Sequence, residues 1–412
     1  MRYNFLITWL FMVLVGFGLS SSLLAQKQVK KSGAQTGNSP KNYRSKNFLI
    51  HTDLPKKEAK KLLKRLEKML KIISKYWGVR NRKTIECYVV KDINNWAKGT
   101  LDPRGEKHIR AGGGVTMTRT AFQQGRVVAA KAIVYAIAQR GVPLHEAVHA
   151  YCGQNFGRTG PVWYSEGMAE MGQYWRKMPQ KGKPIQVNCE NYVINYIKRS
   201  PPKSLREIVS PDEKTGDSWK SYSWRWALCH LLATNPNYSS RFRKLGLGLL
   251  TNKNVSFKRT YGAMADKISF EYKFFLQHLD KGYRVDLCSW DWKTKFQKLK
   301  GKRFSKNTIK ANKGWQPSRL VIESGKEYQL TTDGTWKTKK GGTELTADGS
   351  KEEKGKLLGV IFKNYELSQP FELGKEKTFV APSDGKLFLR CEDKWNELAD
   401  NEGKITVTIQ LK

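Results

Sequence analysis

His145-Glu146-Ala147-Val148-His149 constrains this chain more than any other stretch. It lies in a segment of helical pattern that Pro143 is placed to open. On a helix, a spacing of four stacks both imidazoles on one face, about 6 Å apart along the axis. Two histidines so placed can reach one ion, and the glutamate between them stays at the edge of that face. The chain holds only 6 histidines, so composition alone does not produce such a pair. Glu166 follows His149 by seventeen positions, within WYSEGMAE at the head of a second helical pattern. GQNFGRTGP between the two patterns is a turn that lets the second helix fold back on the first. The chain must therefore place two helices side by side, or the three side chains never meet.

The donor set His145, His149 and Glu166 suits zinc, which takes three protein ligands and an open fourth position where it acts on substrate. Glu146 is then free to take a proton from a water. Glu170, one turn past Glu166, is placed to accept a hydrogen bond from a ligand imidazole and fix its tautomer. The bland alternative is a helix pair with solvated acids and two core histidines.

Around this pair the pattern is mixed. NFLIHT and IECYVV read as strands. Between them KKEAKKLLKRLEKMLKIISKYWG places Leu62, Leu63, Leu66, Met69, Leu70, Ile73 and Tyr76 at helical spacing, with lysines on the other face and Gly78 at the end. RVVAAKAIVYAIAQ reads as helical, as do VWYSEGMAEMGQYW and WRWALCHLLAT. Strands first and helices after imply an α+β fold. The texture changes near residue 300. From there RLVIESG, EYQLTTDG, LLGVIF, KTFVAPSDG, KLFLRCED and KITVTIQL alternate in short runs separated by turn residues, the pattern of an all-β sandwich or barrel. The expected organisation is a signal peptide over 1–25, a polar linker over 26–44, an α+β domain over 45–295 and a β-sandwich over 305–412.

The N-terminus carries MRYN, then the apolar run FLITWLFMVLVGFGL, then SSSLLAQ. A basic start, a short apolar stretch and small residues at a cleavage point describe a secretory signal, which places the chain outside the cytoplasm, secreted or in the periplasm or cell envelope. No later segment is apolar and long enough to span a bilayer. Lys and Arg number 75 against 36 Asp and Glu, a formal charge of +39. That excess either solubilises the surface or attracts anionic material such as envelope polymers and acidic glycans. No nucleic-acid-binding motif accompanies it, so no specific nucleic-acid partner is expected. The cysteines, 6 in all, include no CxxC pair, which excludes a cysteine-built zinc site. Cys152 with Cys189 is the one candidate disulfide, with buried free thiols as the alternative.

HEAVHAY followed by WYSEGMAE resembles the gluzincin metallopeptidases, whose second motif commonly reads WxxEGxAE. The match is closest to the peptidase-MA-like proteins of planctomycete type, through the opening strand, amphipathic helix and Cys-containing strand and the DLCSWDW segment. The resemblance covers roughly residues 45–295 and implies a zincin-like domain that hydrolyses peptide bonds of a peptide or protein substrate. It also implies a donor for the oxyanion of the tetrahedral intermediate. Tyr222, near the start of YSWRWALCHLL, is the candidate by carry-over, and His230 is the alternative. The competing reading is a non-catalytic envelope- or carbohydrate-binding protein with a relic metal site.

Residues 313–412 resemble the calcium-dependent galactose-binding lectins of PA-IL type, through GWQPSRLVIESGKEY, DGTWK and the stretch from DGKLFLRCED onward. By that resemblance Asp393, Asp400 and Asn401 fall at side-chain calcium positions and Glu397 at a backbone-carbonyl position. Hard oxygen ligands of this kind suit calcium. In the sugar-contact region, KNYELSQP, the lectins' polar contacts are not evident.

Overall fold

The computed structural model describes residues 39–412 apart from 125, 140, 176–188, 211–217 and 352–353. The expected signal peptide and most of the expected linker lie outside the described residues. The described residues open with β1 (Lys41–Arg44), β2 (Phe48–Thr52), α1 (Lys56–Trp77), β3 (Ile85–Val90), α2 (Pro103–Arg110), β4 (Gly114–Gln123) and β5 (Arg126–Ile137). A helical run follows: α3 (Val142–Phe156), α4 (Val162–Tyr174), α5 (Asn191–Arg199), α6 (Leu205–Val209), α7 (Trp219–Thr234), α8 (Ser239–Leu250), α9 (Phe257–Tyr261) and α10 (Ala265–Gln277).

The five strands form one sheet in the order β1-β2-β3-β5-β4. β2, β3 and β5 run parallel, and β1 and β4 close the two edges antiparallel. β1 occupies the last four positions of the expected 26–44 linker. The apolar stripe of α1 (Leu62, Leu66, Met69 and Ile73) is buried in the same core as β2 and β3, and Gly78 ends the helix in the left-handed conformation.

RVVAAKAIVYAIAQ is a strand, not the helix its spacing suggested. Ala130, Ala132, Val134 and Ala136 are buried at alternate positions, the period of a strand. Small residues recur often enough here to satisfy both periods. Long-range pairing decides between them: β5 sits between β3 and β4 and is hydrogen-bonded on both sides. Its alanines also let α3 pack closely on the sheet.

The C-terminal strands are β6 (Phe304–Lys310), β7 (Gln316–Ile322), β8 (Glu327–Lys337), β9 (Leu357–Lys363), β10 (Glu366–Leu367), β11 (Phe371–Glu372), β12 (Glu376–Val380), β13 (Gly385–Cys391) and β14 (Glu402–Leu411). They form two antiparallel sheets, β10-β9-β13-β7 (with β11 also on β9) and β12-β8-β14-β6. Leu320, Ile322, Leu330, Trp336, Leu387 and Ile405 fill the core between them, so this half is a β-sandwich and the fold is α+β. A separate aromatic cluster joins the sandwich to the helical half. Phe270 of α10 packs on Phe362 at 5.1 Å between ring centroids, and Trp290 on Phe388 at 4.2 Å. Residues 38–412 form a single compact unit.

All six cysteines are free thiols. The expected Cys152–Cys189 bond is absent: Cys152 is enclosed within the core that α3 builds, while Cys189 lies half-buried ahead of α5. Among the described residues no helix is long and apolar enough to cross a membrane.

Candidate metal centre

α3 and α4 are apolar on nearly every side because both run through the interior. Their close approach depends on small residues. A Cβ on Gly172 of α4 would lie 2.3 Å from Val148 of α3, and one on Gly167 would lie 2.4 Å from the Cys229 sulfur of α7. This packing delivers Glu166 to the face that carries His145 and His149.

The three ligand-type atoms meet at one point. His145 Nε2 lies 3.1 Å from Glu166 Oε2 and 3.1 Å from His149 Nε2, and His149 Nε2 lies 3.5 Å from Glu166 Oε2. Ligands about 2.05 Å from a tetrahedral zinc stand about 3.3 Å from one another, so this triangle has the size of one face of such a site. The outer ring nitrogens are both engaged. Glu170 Oε1 is 2.9 Å from His145 Nδ1, and Ser165 Oγ is 3.2 Å from His149 Nδ1. Without a cation, a proton on Nε2 can be donated to Glu166; with Nδ1–H donating outward and a cation bound in its place, both Nε2 lone pairs face the ion. Among the described residues this is the one His/Cys/Asp/Glu group of its kind, and the donor set fits zinc.

Electrostatics follow from burial. Burial alone would raise the Glu166 carboxyl, but the charge of His149 and hydrogen bonds from His145 and His149 hold it well below the usual carboxylate range. Burial would lower the His145 imidazole, and hydrogen bonds to Glu166 and Glu170 outweigh it and raise it. Tyr174, pushed up chiefly by burial and then by the charge of Glu170, keeps its proton and is hydrogen-bonded to that carboxylate.

Glu146 points toward β4, the outer strand of the sheet. Thr116 Oγ1 lies 2.8 Å from both its carbonyl oxygen and its Oε2, and the hydroxyl can donate to either. Gly114 lets the strand come close, since a Cβ there would sit 2.8 Å from Glu146 Cγ. Sequence reasoning singled out neither Thr116 nor Ser165. Their only traces are the glycine run before VTMT and the serine that abuts Glu166.

The two oxyanion candidates separate. The Tyr222 ring, in the first turn of α7, stacks on the His145 ring at 5.5 Å between centroids. His230 lies two turns further along α7, about 12 Å by helix rise. It packs between Trp226 and Phe275, and burial pushes it down to about 4. That is the environment of a core histidine, not of a group facing the α3–α4 cluster.

The calcium positions are only partly assembled. Asp393 and Asn401 are buried, with Asp393 Oδ2 and Asn401 Oδ1 lacking hydrogen-bond partners. Asp393 Oδ1 accepts from the Lys394 amide, and the Asp393 carbonyl accepts from Arg390. The Glu397 carboxylate pairs with Lys394 at 3.2 Å and Lys354 at 3.5 Å, a pairing that leaves the residue's carbonyl, the expected donor, untouched. Asp400 is exposed in a short 3₁₀ turn. Beside this loop a cavity of about 920 Å³ takes in the sugar-contact stretch (Tyr365, Ser368 and Gln369) with Trp395, and α10 forms its far wall.

No family model matches the chain, and no curated protein matches it. Among solved structures, the N-terminal domain of EclA, a PllA-like lectin, is 16% identical over 26% of this chain and 95% of its own, with a TM-score of 0.22. The Salmonella Typhimurium protein PliG, a periplasmic inhibitor of g-type lysozyme, is 16% identical over 29% of this chain and 94% of its own, with a TM-score of 0.17. At overlaps this small neither neighbour informs the site.

Proposed function

We propose that this chain is a zinc-dependent metallopeptidase of gluzincin type, with His145, His149 and Glu166 as ligands. The observation that carries the reading is the triangle of ligand atoms at 3.1, 3.1 and 3.5 Å, with both outer ring nitrogens already engaged. Zinc, when bound, would polarise the scissile carbonyl and acidify an attacking water. Glu146 takes the proton from that water and delivers it to the leaving amine. Thr116 holds the Glu146 carboxylate in place, and Glu170 and Ser165 orient the two imidazoles. Tyr222, against His145, is the donor to the oxyanion. β4 is an edge strand beside Glu146, and an extended peptide can add to it as a further strand.

The reading includes export through the N-terminal signal, and calcium in the sandwich at Asp393, Asp400 and Asn401 with the Glu397 carbonyl. The adjacent cavity is then an accessory glycan site. The orphaned oxygens of Asp393 and Asn401 favour the calcium assignment.

The test is metal analysis of the purified chain together with cleavage of a peptide library with and without a chelator. One zinc per chain and chelator-sensitive cleavage are expected, and His149→Ala should lose both. Zinc without cleavage would leave the non-catalytic binding protein as the better account. A chain that takes up no zinc is not a gluzincin.

A further inference from the structure

Away from α3 and α4, the segment after α10 and the strands β6 and β7 enclose a cleft of about 860 Å³. Five cations line it: Lys293, Lys306, Lys310, Lys313 and Arg319. Among the described residues none of them forms an ion pair, although many lysines elsewhere in the sandwich do. The single acid of the lining, Asp291, is turned inward. Its carboxylate accepts from the Lys293 and Thr294 amides at 2.9 Å and from the Thr294 hydroxyl at 2.8 Å. From Lys293 to Arg319 the chain carries lysines and arginines and no aspartate or glutamate.

Backbone geometry adds to this. Lys306, Thr308 and Lys310 alternate along β6 and so face the same side. Arg319 has φ 62°, a conformation that residues other than glycine seldom adopt, at the point where the pairing of β7 with β13 shifts register. Gln297 holds that turn through hydrogen bonds to the Arg319 carbonyl and from the Val321 amide. The result is a concave, uncompensated positive surface.

We infer that this cleft binds a chain of anionic polysaccharide, its sulfate or carboxylate groups held by the five cations and its hydroxyls by Thr308 and Thr406. Charge complementarity selects a polyanion. The shape selects a slender one, because a concave cleft cannot enter the groove of a nucleic-acid duplex. Single-stranded nucleic acid calls for aromatic faces on which bases stack, but Trp290 and Trp315 here are only 3% and 6% exposed, and the half-buried Trp292 packs its ring on Phe270 and Phe362 and donates its Nε1–H to Glu271. A protein partner would need exposed aromatic or aliphatic anchors; apart from the buried Trp290 and Trp315, the apolar residues of the lining, Leu287, Trp292 and Pro317, are half-buried, and its exposed groups are chiefly charged, amide and hydroxyl. The cleft lies apart from the α3–α4 cluster, and circular dichroism with thermal unfolding checks that both variants fold.

The experiment titrates the full-length chain with a heparin-derived dodecasaccharide, an oligogalacturonate of similar length, a neutral dextran oligosaccharide and oligo-dT. A triple variant, Lys306→Gln, Lys310→Gln and Lys313→Gln, is compared with a control of equal charge loss on the outer face of α1, Lys60→Gln, Lys64→Gln and Lys71→Gln. The cleft variant should weaken binding of the anionic oligosaccharide about 10- to 100-fold. The α1 control should weaken it by less than about twofold. Tighter binding of the dodecasaccharide assigns sulfate, and equal binding of the oligogalacturonate assigns carboxylate. Equal losses in both variants would overturn the inference in favour of a diffuse field. So would tighter, cleft-dependent binding of oligo-dT, or saturable binding of neither anionic oligosaccharide.

Discussion

The α3–α4 cluster and the loop from Asp393 to Asn401 both gather oxygen and nitrogen donors, yet they are built differently. In the first, three donor atoms converge with no ion pair to a lysine or arginine among the described residues, and the imidazoles are oriented from behind by Glu170 and Ser165. In the second, lysines pair with the Glu397 carboxylate, Asp400 is exposed, and the buried oxygens left without a partner are Asp393 Oδ2 and Asn401 Oδ1. The contrast shows what preorganisation means for a metal site. Rigid helices position side chains within a few tenths of an ångström, whereas a loop leaves its acids to the nearest lysine.

The widest gap between the two regions should appear in Glu146→Gln. The amide keeps the shape and the contact with Thr116 but cannot act as a base. Peptide cleavage should fall about 100- to 10,000-fold while zinc content stays at one per chain. Cleavage at the parental rate would end the proposed role of Glu146.

α7 holds a second contrast, with Tyr222 at the cluster and His230 in the core. His230 is pushed by burial from an ordinary value of 6.5 down to about 4. The unfolded chain therefore binds the proton first on acidification. The stability this histidine contributes is complete above pH 6.5 and is lost as pH falls toward 4, by about 3 kcal/mol. His278, also lowered to about 4 but less enclosed, adds a smaller loss of the same sign. Urea unfolding from pH 7 to 4 should show the slope, and His230→Phe should flatten it. An unchanged slope in that variant would mean that His230 is not the buried neutral group described.

Glu170→Gln should act on the ligand geometry and not on the chemistry. Zinc affinity should weaken about 10- to 100-fold, measured by competition with a chelator, and added zinc should restore part of the activity. Activity lost at saturating zinc would place Glu170 in the reaction itself.

The smallest effect belongs to the sandwich loop. If Asp393 and Asn401 bind calcium, millimolar calcium should stabilise the full-length chain by about 1 kcal/mol, and Asp393→Ala should abolish the gain. The full-length chain is the right material, because Trp315, Phe362, Phe388 and Trp395 of the sandwich are buried in a cluster shared with Phe270 and Trp290. A melting curve that ignores calcium would leave the loop without a metal.

Relations set by short-range geometry were legible before the fold. Helical spacing placed His145 and His149 on one face, put Glu170 one turn beyond Glu166, and marked the passage from helices to alternating strands near residue 300. Those relations hold for any chain that forms the helices. Relations between residues distant in sequence came from packing. It made Arg126–Ile137 a strand through pairing with β3 and β4, although its alanines suit a helix equally well. It brought Thr116 from β4 to Glu146, and set Tyr222 against His145 while sending His230 into the aromatic core. It also kept Cys152 apart from Cys189. None of these follows from local pattern, because the free energy that selects each one comes from contacts that exist only once the chain has packed.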